Sequence, residues 1–227
     1  MTRRDFSAAS ILSAADTSPR KVRIGIVGGR FGLSFQFQDH PDCIVEAVSD
    51  LRPERREALA KTYRCTKTYP SLAELVRDPN IEAVCLFTDA PLHVEHATLA
   101  LKHGKHVLSA VPAAWATLDQ CHALKDAVQR SGLFYMMAET SWYRQTTISA
   151  RELYKQGKFG EIYYSESEYH HDGLDSLFIE DGKRTWRYGV APMHYPTHCT
   201  AFLTSITGER FTNVSCCLLY TSDAADE

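Results

Sequence analysis

Short apolar runs alternate with amphipathic stretches over the first two thirds of the chain. Runs of four to six residues that are rich in β-branched side chains are typical of strands buried on both faces of a parallel sheet. Such strands are predicted at 22–27, 44–48, 83–87, 106–109 and 133–137, with helices at 54–61, 93–103 and 118–131. The repeated strand–helix order predicts an α/β fold with a doubly wound parallel sheet.

The predicted helix ends carry local signals. Ser71 and Thr117 each stand three residues before a Glu or Gln, which is the spacing of a capping box. Gly104 and Gly132 follow the predicted helices 93–103 and 118–131, where glycine suits the left-handed C-cap. These signals fix the boundaries of the predicted helices.

The pattern changes after residue 140. A predicted helix at 148–156 leads to a long alternating strand at 161–169, followed by a helix at about 193–206 and a strand from Arg210. This order predicts a second, α+β domain whose sheet is still incomplete at residue 216. We therefore expect an α/β domain at 21–145 and the α+β domain at 146–216.

Both ends of the chain differ from ordinary domain sequence. Residues 1–20 are predicted to be a leader or a disordered tail, because their start resembles a twin-arginine export signal while the following apolar stretch is short and serine-rich. We expect a cytoplasmic protein, with periplasmic export through a degenerate leader as the alternative. Residues 217–227 resemble the in-frame translation of a sequencing adapter, so we expect the native sequence to stop near Cys216.

Composition narrows the class of protein. The chain has 227 residues, of which 44% are hydrophobic and 23% charged, as in ordinary globular domains. Its 25 basic and 28 acidic residues leave a net charge of −3, which favours neither nucleic acid nor an anionic membrane as the partner. Seven cysteines without a Cys-x-x-Cys pair indicate reduced, mostly buried thiols.

A glycine-rich turn follows the first strand, at Gly28-Gly29-Arg30-Phe31-Gly32. Glycines at a strand-to-helix turn let the backbone approach a pyrophosphate, which then sits on the N-terminus of the next helix. The spacing is one residue tighter than G-x-G-x-x-G. Asp50 ends the second strand, where an acid would hold the ribose diol of NAD. We therefore predict NAD as the cofactor, and the nearby Arg52 leaves NADP as an alternative.

Two further segments carry a family resemblance. They are Thr88-Asp-Ala-Pro91-Leu-His93 and Gly104-Lys105-His106-Val107. With them, residues 22–216 resemble the glucose–fructose oxidoreductase/inositol dehydrogenase/MocA family. The resemblance implies a Rossmann-type NAD(P)-binding domain at 21–145 and a following open-faced sheet through which the protein forms homo-oligomers. It implies oxidation or reduction of a sugar or polyol. It also implies that Thr88, Pro91 and His93 contact the cofactor.

One position departs from that family. Its members usually carry a Glu-Lys-Pro motif, whose lysine polarises the reacting hydroxyl or carbonyl group. Here Ala110 and Val111 precede Pro112, so valine stands at the lysine position. Valine neither donates a hydrogen bond nor carries a charge. Proton transfer must therefore come from another residue, or it does not occur.

Three residues are candidates for that proton transfer. His198 is the first candidate, because a histidine exchanges protons near neutral pH. Tyr195 could assist it, and Glu139 follows the fifth predicted strand at the edge of the sheet where ligands bind. His194, four residues before His198, is expected on the same face of the helix. The alternatives are an interior histidine, a packing tyrosine and a solvated loop acid.

The loop before this helix contains candidates for substrate contacts. Trp186 and Arg187 would supply an aromatic face and a fixed cation to a sugar, and His194 is placed with them. A metal site is a weaker alternative, and we expect no metal. Its ligands would come from Glu168, His170, His171, Asp172, His194 and His198.

These observations lead to one function and two alternatives. The first hypothesis is an NAD(P)-dependent oxidoreductase that acts on a sugar, cyclitol or related hydroxy compound. One alternative is an NAD-dependent lyase or glycoside-cleaving enzyme that oxidises its substrate transiently. The other is a dinucleotide-binding sensor without catalysis.

Overall fold

A computed structural model describes residues 20–170, 173–191, 194 and 196–217. Its main feature is a six-stranded parallel sheet with the strand order β3-β2-β1-β4-β5-β6. The strands are β1 (Val22–Val27), β2 (Cys43–Ser49), β3 (Thr68–Tyr69), β4 (Ala83–Leu86), β5 (His106–Ser109) and β6 (Tyr135–Met137). The predicted doubly wound sheet is confirmed, and the order reverses between β1 and β4, which is where such sheets bind ligands.

Helices cover both faces of the sheet. They are α1 (Pro53–Thr62), α2 (Leu72–Leu75), α3 (His93–Lys102) and α4 (Leu118–Ser131). Alternate residues of a strand point to opposite faces, so neighbours in β4 enter different cores. Leu86 packs in the core under α2, α3 and α4, whereas Cys85 packs in the core that contains Leu59 of α1.

Local signals set the helix ends correctly. The Thr117 hydroxyl accepts a hydrogen bond of 3.3 Å from the backbone N–H of Gln120, as a capping residue should. Gly132 ends the same helix in the left-handed conformation, with a φ of 66°. Helix α4 therefore spans the residues that the sequence predicted.

The helix expected after the glycine-rich turn does not form. Two short 3-10 turns replace it, at Phe31–Ser34 and Phe37–Asp39. Between them the ring of Phe35 stacks on Phe87, with centroids 4.4 Å apart. The Tyr63 hydroxyl donates to the carbonyls of Gly32 and Phe35. Aromatic packing and this tyrosine hold the short connection in place of helical hydrogen bonds.

The segment after residue 144 forms helices and one small antiparallel pair of strands. Its elements are α5 (Gln145–Lys155), α6 (Leu174–Phe178), β7 (Ile179–Glu180), β8 (Lys183–Arg184) and α7 (Thr197–Thr207). Arg151 of α5 donates to the Ser205 carbonyl in α7 at 2.7 Å and to the Trp142 carbonyl at 2.8 Å. These bonds hold α7 beside the end of β6.

Two predicted strands in this segment are wrong. Neither residues 161–169 nor the residues from Arg210 to 217 pair with a strand in the described part of the chain. Most of their side chains are exposed. An alternating pattern makes a strand when a neighbour supplies hydrogen bonds and one face is buried, and neither condition is met here.

Helix α7 begins at Thr197 and not near residue 193. Proline has no backbone N–H, and it disfavours the helical conformation for the residue before it, so Pro196 marks the start of the helix. His194 therefore precedes α7, and the expectation that it shares a helical face with His198 is wrong.

The cysteines are free thiols, but they are not mostly buried as predicted. Cys65 and Cys85 are buried, whereas Cys121, Cys216 and Cys217 are exposed. The reason at Cys121 is its place on the solvent-facing side of α4, which the cysteine count could not indicate. Among the described residues, no helix is long and apolar enough to cross a membrane. The predicted leader lies almost entirely outside these residues.

We expect Gly28→Ala to lower the free energy of unfolding by more than Gly104→Ala does. Both glycines have a positive φ, of 105° and 75°, which costs an alanine roughly 1–2 kcal/mol. An added Cβ would meet nothing within 4 Å at Gly104 but would lie 2.3 Å from the Phe87 carbonyl oxygen at Gly28. Urea unfolding of both variants measures the difference, and equal losses would contradict the steric argument.

Candidate active site

Two adjoining cavities lie at the carboxyl edge of the parallel sheet. The first encloses about 530 Å³ and includes Gly28 and Asp50, and the second encloses about 550 Å³ and includes Val111 and His198. They share the glycine-rich turn and the end of β4 as a common wall. The shared lining residues are Gly29, Arg30, Phe87, Thr88, Asp89 and Trp186. A ligand that extends through both cavities would cross the point where the strand order reverses.

The glycine-rich turn and Asp50 form the floor of the first cavity. Gly28 approaches the backbone of Phe87 too closely for any side chain, and a Cβ on Gly29 would lie 2.6 Å from the Cβ of Arg55. The Asp50 carboxylate accepts from the backbone N–H of Gly29 at 2.6 Å and from that of Arg52 at 2.8 Å. The sequence placed Gly28, Gly29, Arg30 and Asp50 at this site, and all four line the cavity.

We call Arg30, Arg52 and Arg55 the arginine cluster, and all three line the first cavity with Asp50. Two carboxylates from the β7–β8 hairpin meet them. Arg52 contacts Asp181 at 2.8 Å and Glu180 at 3.7 Å, Arg30 contacts Glu180 at 3.8 Å, and Arg55 also pairs with Glu180. The sequence indicated Arg52 through its distance from Asp50, but it gave no sign of Arg55, Glu180 or Asp181.

His93, for which the resemblance implied a cofactor contact, lines the second cavity and also connects two loops. Its ring is fully buried, with Nε2 2.9 Å from the Thr88 carbonyl oxygen and Nδ1 2.7 Å from the Pro112 carbonyl oxygen. Both nitrogens therefore face the protein backbone. The ring ties the loop after β4 to the loop after β5, so it positions the wall of the second cavity.

Thr88 and its neighbour His96 complete one side of the first cavity. The Thr88 hydroxyl lies 2.9 Å from Nδ1 of His96, and burial lowers the pKa of that imidazole. The sequence did not single out His96. In the part of the chain that the structure describes, neither Gly32 nor Pro91 lines either cavity, although both were predicted to bind the cofactor. Pro91 lies in a short 3-10 turn at Ala90–Leu92.

A buried carboxylate–imidazole pair lies beside the second cavity, and His198 is its member on the cavity wall. Oε1 of Glu139 lies 2.7 Å from Nδ1 of His198 and accepts from the Ser141 backbone N–H at 2.8 Å. Both side chains are buried, and the ring of Tyr169 lies 4.4 Å from that of His198. Burial alone would raise the pKa of Glu139, but the bonds from His198 and Ser141 lower it below its usual value. Glu139 is therefore held as a carboxylate, and it fixes the orientation of the imidazole.

The wall opposite this pair is small and apolar. Ala110, Val111 and Ala138 line the second cavity, and Ala110 and Val111 follow β5 at the edge of the sheet. The Val111 side chain is almost fully buried. These three side chains have no ionisable group, whereas His198 brings an imidazole to the same cavity.

The predicted substrate residues separate into two groups. Trp186 and Arg187 line the second cavity, with the Arg187 guanidinium 4.3 Å from the centre of the Trp186 ring. His194 lies elsewhere, since it stacks on Trp115 at 5.2 Å and lines a separate apolar groove. Its predicted substrate contact is therefore not supported, because Pro196 keeps it off the helix that carries His198. Tyr195 lies outside the described residues.

The described residues of the alternative metal site do not form a cluster. Among the described residues, no three His, Cys, Asp or Glu side chains form a group that could hold a metal ion. His170 instead pairs with Glu168 at 2.9 Å on the surface. His171 and Asp172 lie outside the described residues.

Comparison with known proteins agrees with this geometry. Residues 22–139 match the model of an oxidoreductase family with an NAD-binding Rossmann fold. A glycosyl hydrolase family 109 protein from Phocaeicola vulgatus is 32% identical over 169 residues, which are 69% of this chain and 31% of that protein. The chain thus spans about a third of the length of this curated relative.

Two solved structures share the fold. A probable dehydrogenase from Thermotoga maritima has a TM-score of 0.69 at 21% identity, over 83% of this chain and 56% of that chain. The scyllo-inositol dehydrogenase from Lactobacillus casei, solved with bound NAD(H) and scyllo-inositol, has a TM-score of 0.58 at 22% identity, over 63% and 43% of the two chains. At these identities the likeness shows the fold alone.

The lowered pKa of Glu139 predicts a loss of stability in acid. A carboxyl with a depressed pKa in the folded state stabilises the fold fully above its unfolded value, here 4.5, and this contribution disappears as pH falls through the folded value. Between about pH 6 and pH 3, the unfolding free energy should therefore fall more steeply for the wild type than for Glu139→Gln. Denaturant unfolding at several pH values measures both slopes. The exposed Glu152→Gln is the matched control, and identical slopes for Glu139→Gln and wild type would refute this account.

Proposed function

Because this chain belongs to the Gfo/Idh/MocA oxidoreductase family, we propose that it binds a nicotinamide dinucleotide and oxidises or reduces a hydroxyl group of a sugar or cyclitol. The observation that carries the proposal is the buried Glu139–His198 pair. His198 of this pair lines a cavity that adjoins the one formed by the glycine-rich turn and Asp50. A proton-handling group and a dinucleotide cradle thus share one site.

The first cavity fits a dinucleotide. Gly28 and Gly29 leave a surface of backbone that a Cβ would fill, and this surface can approach a pyrophosphate. Asp50 stands at the end of β2 with its carboxylate oriented by two backbone N–H groups, where it would accept from the hydroxyls of a ribose. When bound, a nicotinamide supplies hydride acceptance and donation at the carbon that bears the hydroxyl group.

The Glu139–His198 pair supports proton transfer to and from that hydroxyl. Since Nδ1 of His198 donates to the Glu139 carboxylate, Nε2 is the nitrogen that would take a proton from the substrate. The negative charge of Glu139 would stabilise the imidazolium that results. The pair would perform the proton transfer for which Val111 has no suitable group.

The residues opposite His198 support a polyhydroxylated substrate. Trp186 offers an aromatic face to the C–H surface of a sugar ring, and Arg187 offers hydrogen-bond donors to its oxygens. Both line the second cavity together with Tyr169 and Thr140. The mixture of apolar and donor groups suits a neutral or acidic sugar or cyclitol.

A glycoside-cleaving reaction is the second candidate. It is favoured by the relative from Phocaeicola vulgatus, which is named as a glycosyl hydrolase family 109 protein. Transient oxidation of a sugar hydroxyl acidifies the neighbouring C–H, so that a base can remove this proton and the glycosidic bond can be eliminated. His198 would serve as that base. Addition of water to the resulting double bond and return of the hydride to the carbonyl carbon would complete the hydrolysis with no net change in the cofactor.

A substrate panel separates these reactions. The protein is mixed with NAD and with free sugars, cyclitols or aryl glycosides, while the near-ultraviolet absorbance of NADH and the released aglycone are followed. Net NADH formation from a free sugar or cyclitol is the expected result for the first candidate. Aglycone release without net NADH would favour the second. Tight NAD binding with neither product would contradict both and indicate a sensor.

We expect His198→Ala to lower turnover by roughly 10²–10⁴, which is the usual contribution of general acid–base catalysis. NAD affinity should stay within about twofold of wild type, because the residue lies in the second cavity and a change below 0.4 kcal/mol is expected. Steady-state kinetics and NAD titration measure the two effects. His122→Ala, an exposed position on α4, is the matched control. An intact rate in His198→Ala would remove this residue from the mechanism.

A further inference from the structure

The β7–β8 hairpin places two acids against the arginine cluster. Glu180 is the last residue of β7, and Asp181 follows it in the turn, with a φ of 49°. Glu180 pairs with Arg55 across 125 residues of sequence, and Asp181 pairs with Arg52 across 129. The hairpin therefore reaches from the later part of the chain to the end of β2, where Asp50 stands.

The same cavity contains Asp50, the arginine cluster and the hairpin acids. It is also lined by Lys183 and Arg184 of the hairpin, of which Arg184 packs its guanidinium 4.1 Å from the centre of the Tyr188 ring. Arginine is the residue that most often holds a phosphate, since its planar fork makes two parallel hydrogen bonds. In dinucleotide-binding domains, an arginine near the end of the second strand accommodates the 2′-phosphate of NADP, whereas an acid there favours NAD. Three guanidinium groups beside Asp50 would on their own attract a 2′-phosphate.

We propose that Glu180 and Asp181 make the cofactor site selective for NAD by occupying the arginine cluster. This inference rests on the proposed function, because it concerns which dinucleotide the first cavity holds. The selecting groups would be supplied by a hairpin that lies far along the chain from Asp50 and that no dinucleotide-binding motif includes.

Charge balance gives the reason for the selectivity. A phosphate monoester carries about −1.5 to −2 charges at neutral pH. The 2′-phosphate of NADP would either displace Glu180 and Asp181 from the arginines or lie beside the carboxylates of Glu180, Asp181 and Asp50. The 2′-hydroxyl of NAD requires neither change, and it can donate to Asp50.

Glu180 and Asp181 should contribute unequally to the selectivity for NAD over NADP. The Glu180 side chain is 27% exposed and contacts Arg30, Arg52 and Arg55, whereas the Asp181 side chain is 71% exposed and contacts Arg52. Water screens an exposed ion pair strongly. Removing the charge of Glu180 should therefore free more of the cluster than removing the charge of Asp181.

Direct titration of NAD and NADP into the protein tests the proposal. Wild type should bind NAD more tightly than NADP. Glu180→Gln should tighten NADP binding by roughly fivefold to tenfold, Asp181→Asn by about twofold, and NAD affinity should change by less than about twofold in either. The measured quantity is the ratio of the two dissociation constants, which needs no turnover.

Two further variants sharpen the test. Asp126→Asn removes an exposed carboxylate that also pairs with an arginine, at 3.7 Å from Arg130, but it lies on α4 outside both cavities. It should leave the ratio unchanged. Adding Arg55→Gln to Glu180→Gln should abolish most of the gain in NADP affinity, since the freed guanidinium is the proposed phosphate ligand.

Each other outcome counts against the proposal. An unchanged ratio in Glu180→Gln, or NADP binding tighter than NAD binding in wild type, would overturn the inference and leave the proposed function intact. If Glu180→Gln bound both NAD and NADP more tightly by the same factor, the hairpin would only restrict access to the cavity. This result would also overturn the inference. If wild type bound neither dinucleotide, the proposed function itself would fail, and the inference would fail with it.

Discussion

A buried carboxylate requires a partner, and this requirement organises the second cavity. Glu139 follows β6 and receives its partner from α7, more than fifty residues later in the chain. An unpaired charge in such surroundings would cost several kcal/mol, so the position of α7 depends on the bond between Glu139 and His198 as well as on packing. Arg151 of α5 also holds α7 in position, because its guanidinium donates to the Ser205 carbonyl in α7 and to the Trp142 carbonyl near the end of β6. The residues after β5 and β6 supply an apolar wall of the cavity, and α7 supplies the imidazole of His198.

The parts of the fold that the sequence predicted are those governed by local rules. β1 and α4 have the predicted limits, because a buried β-branched run and a pair of caps at Thr117 and Gly132 need no information from the rest of the chain. The predictions failed where contacts between distant parts of the chain determine the local structure. Stacking of Phe35 on Phe87 replaces a helix with 3-10 turns, and residues 161–169 lack the neighbour that would make them a strand.

The candidate site shows the same division. Asp50 was predictable, since a fixed spacing connects it to the glycine-rich turn. The position of His93 at the start of α3 was also predictable, but its two carbonyl contacts were not, because one of them comes from a separate loop at Pro112. Glu180 and Asp181 had no local signature at all. Ion pairs between residues more than a hundred positions apart are identified from the three-dimensional structure and not from a sequence motif.

The ion pairs between hairpin and arginine cluster are partly open to water, with the Arg52 side chain 43% exposed. Mobile ions screen charges over a Debye length of about 8 Å in physiological medium and about 3 Å at 1 M salt. The attraction that holds the hairpin against the cleft therefore weakens as ionic strength rises, whereas the hydrogen bonds beneath Asp50 do not depend on it to the same degree. The strength with which the hairpin is held against the cleft thus depends in part on the salts dissolved around the protein.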